Sequence, residues 1–481
     1  MNLDLSSWRF EILFPTLPFV VFFIGVLLVH RLLRPGVPRK SFLLVVSYYF
    51  YACWDWRFLG LILASTVIDF VAGEKIFRAD SKRAKRIWMW VSLSVNLGIL
   101  GFFKYFNFFV DSCASLMSAA GFQVNPGTLE IVLPVGISFY TFQTLSYSID
   151  IYRGRLEPSK SLLDFSLFVA FFPQLVAGPI VRASEFLPQL AETKTRRADD
   201  FFEGLERFLV GLFKKVMIAD IAARIVDPIF ADPQSFSGLV CAAGALSFTF
   251  QIYFDFSGYS DMAIGLAKML GYKLPTNFRL PYLATSMTDF WRRWHISLSS
   301  WFRDYLYIPL GGNRGGKIMT GRNLVLTFLL TGLWHGANWT FIAFGAWNGA
   351  LLLLERLRRK EPMSGVNRGL ALRVLGLTYC WIAIVISFTI FRATSLGNLS
   401  EILTRVLDGA DGRNLWFSPV RFYYVVGAAV LYHVMSSLSL RQRLAKFLDP
   451  WLWRPFFYAI VLLILLAYAP LDDRSFIYFA F

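Results

Sequence analysis

The sequence predicts an all-α polytopic membrane protein with about ten to twelve transmembrane helices, and three observations carry that prediction. Of 481 residues, 56% are hydrophobic and only 17% charged, against about 25% charged in ordinary soluble domains, and mean hydropathy is +0.52. Apolar runs approaching the ~20 residues needed to cross a bilayer recur along the chain. Lysine and arginine gather between those runs. No hydrophilic stretch is long enough for a separate soluble domain, so residues 1–481 read as a single transmembrane domain.

Taken in order, residues 14–33 form the first candidate span. It lacks the basic leader and small-residue cleavage site of a removed signal peptide, so it is expected to be retained. Residues 42–54, 58–72, 87–105 and 131–149 follow, and 374–391, 420–435 and 456–469 close the chain. Loop charge sets the orientation. Arg31, Arg34, Arg39 and Lys40, then Lys75, Arg78, Lys82 and Arg83, then Arg153, Arg155 and Lys160, then Arg356 and Arg358, then Arg441 and Arg443, all read as cytoplasmic. Residues 111–130 carry no lysine or arginine and read as external, as does the mixed-charge stretch 392–421. Both termini then lie outside.

The middle, 162–354, is irregular. Phe172-Pro173, Gly178-Pro179, Leu280-Pro281 and Ile308-Pro309-Leu310-Gly311-Gly312 interrupt apolar runs. Irregular backbone at membrane depth is tolerated where protein buries it or where it lines a wet cavity. Short or re-entrant helices around a pocket are therefore expected. No internal repeat is visible.

The net charge of +16 does not indicate nucleic-acid binding, because the basic residues sit in loops beside membrane spans. Such clusters suit anionic lipid headgroups or a phosphate-bearing donor. Cys53, Cys113, Cys241 and Cys380 are isolated and show no metal-ligand spacing.

Two segments carry chemistry. Trp334-His335-Gly336 places an imidazole, one of four in the chain, in an apolar run. A titratable group at that depth is a functional-site candidate, and a neutral imidazole can act as general base. The segment Asp289 to Tyr305 reads as one amphipathic helix. Trp291, Trp294, Leu298, Trp301 and Tyr305 fall on one face, His295 lies beside them, and Arg292, Arg293 and Arg303 load the flanks. Upstream, Asp255 and Asp261 sit in the apolar stretch 251–261 and need partners, for which the nearby arginines are candidates.

The segments DFSGYSDMAIG, NFRLPY, DFWRRWHISLSSWFRDYLYIPLGGNRGG and TGLWHGANWTFIAFGAWNG, with SYYFYACWDWRFLGLILASTVIDF near the start, resemble the membrane-bound O-acyltransferase (MBOAT) family. The resemblance is to its bacterial alginate O-acetyltransferase branch. It implies a multi-helix fold around a central tunnel, with a catalytic core over about residues 130–360. It further implies a cytoplasmic acetyl-CoA donor, no permanently bound cofactor, and an external polysaccharide acceptor reached through an SGNH-type or alginate-binding transferase partner. His335 matches the family's catalytic histidine and His295 the second histidine of the bacterial branch. A placed base contributes roughly 10²–10⁴-fold, about 3–5 kcal/mol of barrier. Oxyanion donors can come from Asn338, Trp334 or backbone N–H groups beside Gly336. Arg292, Arg293 and Arg303 can steer the donor's phosphates, and Asp289 is a further tunnel-lining candidate. The ending Arg474 to Phe481 resembles the branch's aromatic tail, with Tyr478 as a candidate acyl relay and Ala480 where the family usually has glutamine.

Plainer roles compete with each assignment. His335 can be a packed helix end and His295 an interfacial anchor. The arginines can be snorkelling anchors, Asp255 and Asp261 structural ion-pair partners, and Tyr478 a belt aromatic. His30 and His433, near span ends, read as interfacial. Rival functions are D-alanyl or other acyl transfer to a cell-wall polymer or peptidoglycan, and a non-enzymatic transporter or channel for an anionic solute. Paired inverted halves would favour the transporter, and none are visible.

Overall fold

A computed structural model of the chain describes residues 14–122, 127, 129–175, 178–192, 198–358, 369–414, 417–437, 456, 458–461, 463–464 and 476. Every regular element among them is helical. Among the described residues, four helical stretches are long and apolar enough to cross a membrane: Val37–Arg78, Lys82–Ala119, Gly238–Met269 and Leu370–Arg392. The chain forms two compact units, Met1–Leu205 with Ala263–Pro275, and Glu206–Met262 with Thr276–Phe481.

The first unit holds α1 (Leu17–Leu32), α2 (Val37–Asp55), α3 (Leu59–Arg78), α4 (Lys82–Leu100), α5 (Phe106–Ala119), α6 (Ile137–Tyr152), α7 (Leu162–Ala170), α8 (Phe172–Leu175) and α9 (Ala183–Ala191). Extended backbone at Asp55 separates α2 from α3. The span expected at 87–105 instead continues through a π turn, Gly101–Tyr105, into α5, so helix occupies much of the stretch read as a loop. Asp69 is fully buried, and it accepts hydrogen bonds from the Ser92 hydroxyl, from Asn96 Nδ2 at 2.8 Å and from Ser148 Oγ at 3.1 Å. A buried carboxylate requires such donors, and these pin α3, α4 and α6 together. His30, in the last turn of α1, is 1% exposed and lines a cavity of about 130 Å³ with Arg39, Lys40, Glu192 and Tyr272.

The second unit is built around α12 (Gly238–Met269), whose 32 residues begin in this unit and end in the first. Beside it run α10 (Ala198–Phe213), a π turn at Lys214–Ala219, and α11 (Asp220–Ala231). Gly211 and Gly258 let α10 and α12 touch: a Cβ on Gly258 would come 2.8 Å from the Gly211 carbonyl oxygen, and one on Gly211 2.5 Å from that of Gly258. That crossing supplies the buried carboxylates of α12 with lysines. Lys215 Nζ lies 2.7 Å from Asp255 and 2.8 Å from Asp220, and Lys214 Nζ 2.6 Å from Asp261, which also accepts from Arg207 at 2.9 Å. The partners come from α10 and its π turn, not from the arginines of segment 289–305. Their distance along the chain hid them.

The rest of this unit comprises α13 (Met287–Arg293), α14 (Ile296–Phe302), α15 (Gly316–His335), α16 (Trp339–Arg358), α17 (Leu370–Arg392), α18 (Leu396–Asp408) and α19 (Pro419–Ser437). The breaks expected at Leu280-Pro281 and across 308–312 are present, and the helices between them are short. His433 on α19 is 7% exposed, packed against Tyr253 and Tyr282 and bonded through Nδ1 to the Ala429 carbonyl at 2.8 Å. The helix turns this residue toward aromatic neighbours.

Candidate active site

Segment 289–305 is not one helix. The α13 helix ends at Arg293, α14 starts at Ile296, and His295 between them adopts left-handed backbone, φ 42° and ψ 56°. Non-glycine residues pay roughly 1–2 kcal/mol for that conformation, and it persists where surroundings over-determine it. Here Asn277, 1% exposed, does so. Its backbone carbonyl accepts from Ile296 N at 2.9 Å, and its side-chain oxygen accepts from Ser297 Oγ at 2.6 Å and Ser297 N at 3.3 Å. Asn277 Nδ2 donates to Ser260 Oγ on α12 at 3.1 Å. At the other end, Ser286 caps α13 and Glu355 of α16 accepts from the Met287 and Thr288 N–H groups.

The elbow brings the two histidines together. The His295 and His335 ring centroids are 6.5 Å apart, although 40 residues separate them in sequence. His335, the last residue of α15, is 4% exposed and His295 is fully buried. Trp334 stands near both, 5.0 Å from His335 and 6.0 Å from His295. Phe391 and Phe344 meet His335 edge-on at 5.2 and 5.8 Å, and Phe256 meets His295 at 4.6 Å. Gly336 follows His335 because a Cβ there would collide with the Phe341 ring. Two imidazoles in an aromatic, water-poor setting can hold and move a proton while fixed dipoles act at full strength.

Most of the other candidates have partners of their own. Asn338 donates to the Thr394 carbonyl at 3.0 Å and accepts from Thr340 N at 3.1 Å, the pattern of a helix cap. Arg292 is exposed. Arg293 pairs with Asp289 at 3.0 Å and Arg303 with Asp304 at 2.7 Å, at accessible positions. Tyr478 lies outside the described residues, but Phe476 of the same tail is fully buried. Its ring lies 4.3 Å from Tyr259 and 5.7 Å from Phe256.

Asn277, Phe256 and Tyr259 fall within the motifs quoted above, but nothing in the sequence marks them for a role. Lys215 does carry a signal in the sequence, as part of a Lys-Lys pair inside the apolar stretch 208–219.

The profile of MBOAT, the membrane-bound O-acyltransferase family, matches residues 155–390, a stretch that contains both histidines. The probable alginate O-acetylase AlgI of Azotobacter vinelandii is 46% identical over 381 residues, covering 79% of this chain and 74% of that protein. The Pseudomonas aeruginosa protein of the same name is 46% identical over 413 residues, covering 84% and 77%. The peptidoglycan O-acetyltransferase of Helicobacter pylori is 37% identical over 439 residues, covering 84% and 81%. An all-helical membrane fold, a buried histidine pair and these similarities define an acyltransferase of the bilayer. The chain belongs to the membrane-bound O-acyltransferase family.

Proposed function

We propose that the chain acts as one transmembrane domain, with its catalytic core over about residues 130–360, and moves acetyl from cytoplasmic acetyl-CoA across the bacterial plasma membrane for O-acetylation of an external polysaccharide such as alginate. The observation that carries this reading is the buried pair His295 and His335 at 6.5 Å. His335 is the general base and His295 lines and supports the pocket. In the first transfer, the Tyr478 phenol attacks the acetyl carbonyl and its proton passes to His335 as the C–O bond forms. Collapse of the tetrahedral adduct breaks the C–S bond, and the proton follows to the departing thiolate. In the second, an acceptor hydroxyl displaces the phenol, which regains a proton. An SGNH-type or alginate-binding partner outside completes delivery. Arg292, Arg293 and Arg303, accessible in the structure, attract the donor's phosphates, with Asp289 beside Arg293.

The test is a glycan-acetyl assay in cells. His335→Ala and Tyr478→Phe abolish external acetylation, and His295→Ala reduces it. Full acetylation with Tyr478→Phe rules out the relay, and full acetylation with His335→Ala rules out the enzyme.

A further inference from the structure

His335 has little free space around its ring. The residue is 4% exposed, with Trp334 at 5.0 Å and His295 at 6.5 Å. Phe391 of α17 and Phe344 of α16 stand edge-on to it at 5.2 and 5.8 Å, their ring planes 77° and 89° from that of the imidazole. A wall selects by size only if it cannot yield, and these two phenyl rings are held. They lean on each other at 5.2 Å, and each is at most 2% exposed. Phe341 supports Phe391 from 4.9 Å, and Trp291 supports Phe344 from 6.2 Å. Behind them α15 and α16 touch backbone to backbone: a Cβ on Gly332 would collide with the Phe341 carbonyl, and one on Gly345 with the Phe328 carbonyl. The α16 helix therefore has no room to move toward α15 and carry Phe341 and Phe344 aside. Interiors packed this closely yield little to an added methylene.

We propose that Phe344 and Phe391 are specificity-determining residues, which close the space beside His335 and confine the transferred acyl group to two carbons. The proposal rests on the acetyl-transfer reading above and narrows it to chain length. The attacking oxygen must lie within hydrogen-bond reach of His335, and the reacting carbonyl about 3–3.5 Å from that oxygen. The acyl group is thus presented inside the shell that the two phenyl edges occupy. A methyl group is taken in, whereas each further methylene meets a ring already fixed on its far side. One methylene in an apolar pocket discriminates by about 10–200-fold.

The test is release of thiol from acetyl-, propionyl-, butyryl- and hexanoyl-coenzyme A by purified protein, read as kcat/KM. Wild type is expected to lose about 10–200-fold between acetyl and propionyl, and more again with butyryl. Phe391→Ala and Phe344→Ala are expected to raise the butyryl-to-acetyl ratio by at least about tenfold. Truncating a buried phenylalanine can unfold a protein, so Phe391→Leu and Phe344→Leu are made as well, and they are expected to move the ratio in the same direction. Phe388→Ala is the control. Phe388 is on the same helix as Phe391 and is 2% exposed, but it packs on Trp294 and Phe290. Its truncation removes the same volume from the core and is expected to leave the ratio unchanged. Wild type that turns over butyryl- and acetyl-coenzyme A equally overturns the wall. So does an unmoved ratio in folded Phe391 and Phe344 variants, or an equal rise in Phe388→Ala. If no acyl-coenzyme A yields thiol, or if release survives His335→Ala, the enzyme reading is overturned and the wall falls with it. Release from acetyl-coenzyme A that is lost in His335→Ala, with a ratio that the two phenylalanines do not move, removes the wall alone.

Discussion

At the scale of single residues, His295 does two separable things: it bends the chain in left-handed backbone and it presents an imidazole. Glycine and asparagine both tolerate that conformation. His295→Gly and His295→Asn are therefore expected to keep the bend and the fold, and to lower acetyl transfer. Activity retained in His295→Gly would reduce this residue to a bend. Asn277 fixes the same elbow through the hydrogen bonds it makes with Ile296 and Ser297. Loss of an orienting partner commonly costs 10–100-fold, so Asn277→Ala is expected to lower kcat by about that factor and leave the KM for acetyl-CoA unchanged. A change in KM alone would argue against this role. Of the two histidines, His335 was legible because a lone imidazole in an apolar run needs an explanation. The bend at His295 was not, because the 3.6-residue aromatic pattern runs through it without glycine or proline. Contacts from Asn277, distant in sequence, override that local pattern.

At the scale of helices, the crossing of α10 and α12 delivers Lys214 and Lys215 to the carboxylates of α12. Removing one member of a buried ion pair destabilises by about 3–5 kcal/mol, because the remaining charge is stranded. Lys215→Met removes a cation shared by two carboxylates, Asp255 and Asp220, whereas Lys214→Met leaves Asp261 with Arg207. The account predicts a larger loss of thermal stability in detergent for Lys215→Met than for Lys214→Met. Equal losses would contradict it. Gly258→Val places carbons against the Gly211 carbonyl, and overpacking of this kind costs typically about 1–3 kcal/mol. It is expected to act on the same ladder, with lower stability and lower activity together. Breaks at proline and glycine were legible in this part of the chain because those residues carry a local backbone preference. The carboxylates' partners were not, because pairing across dozens of residues leaves no periodic signal.

For the whole molecule, composition and alternation of apolar and basic stretches were enough to predict an all-α membrane protein, since lipid admits few other folds for such a chain. The tail was legible only by resemblance, and Phe476 had no reading of its own, because the contacts its ring makes with Phe256 and Tyr259 span more than two hundred residues and leave no periodic signal. The account's central claim is that His335 drives opening of an acyl thioester. The most direct measurement is release of coenzyme A thiol when purified protein is mixed with acetyl-CoA, in wild type and in His335→Ala. The account predicts release by wild type and a loss of roughly 10²–10⁴-fold in the variant, with the fold intact by thermal unfolding. Wild-type protein that frees no thiol, or a variant that frees it at the same rate, would contradict it.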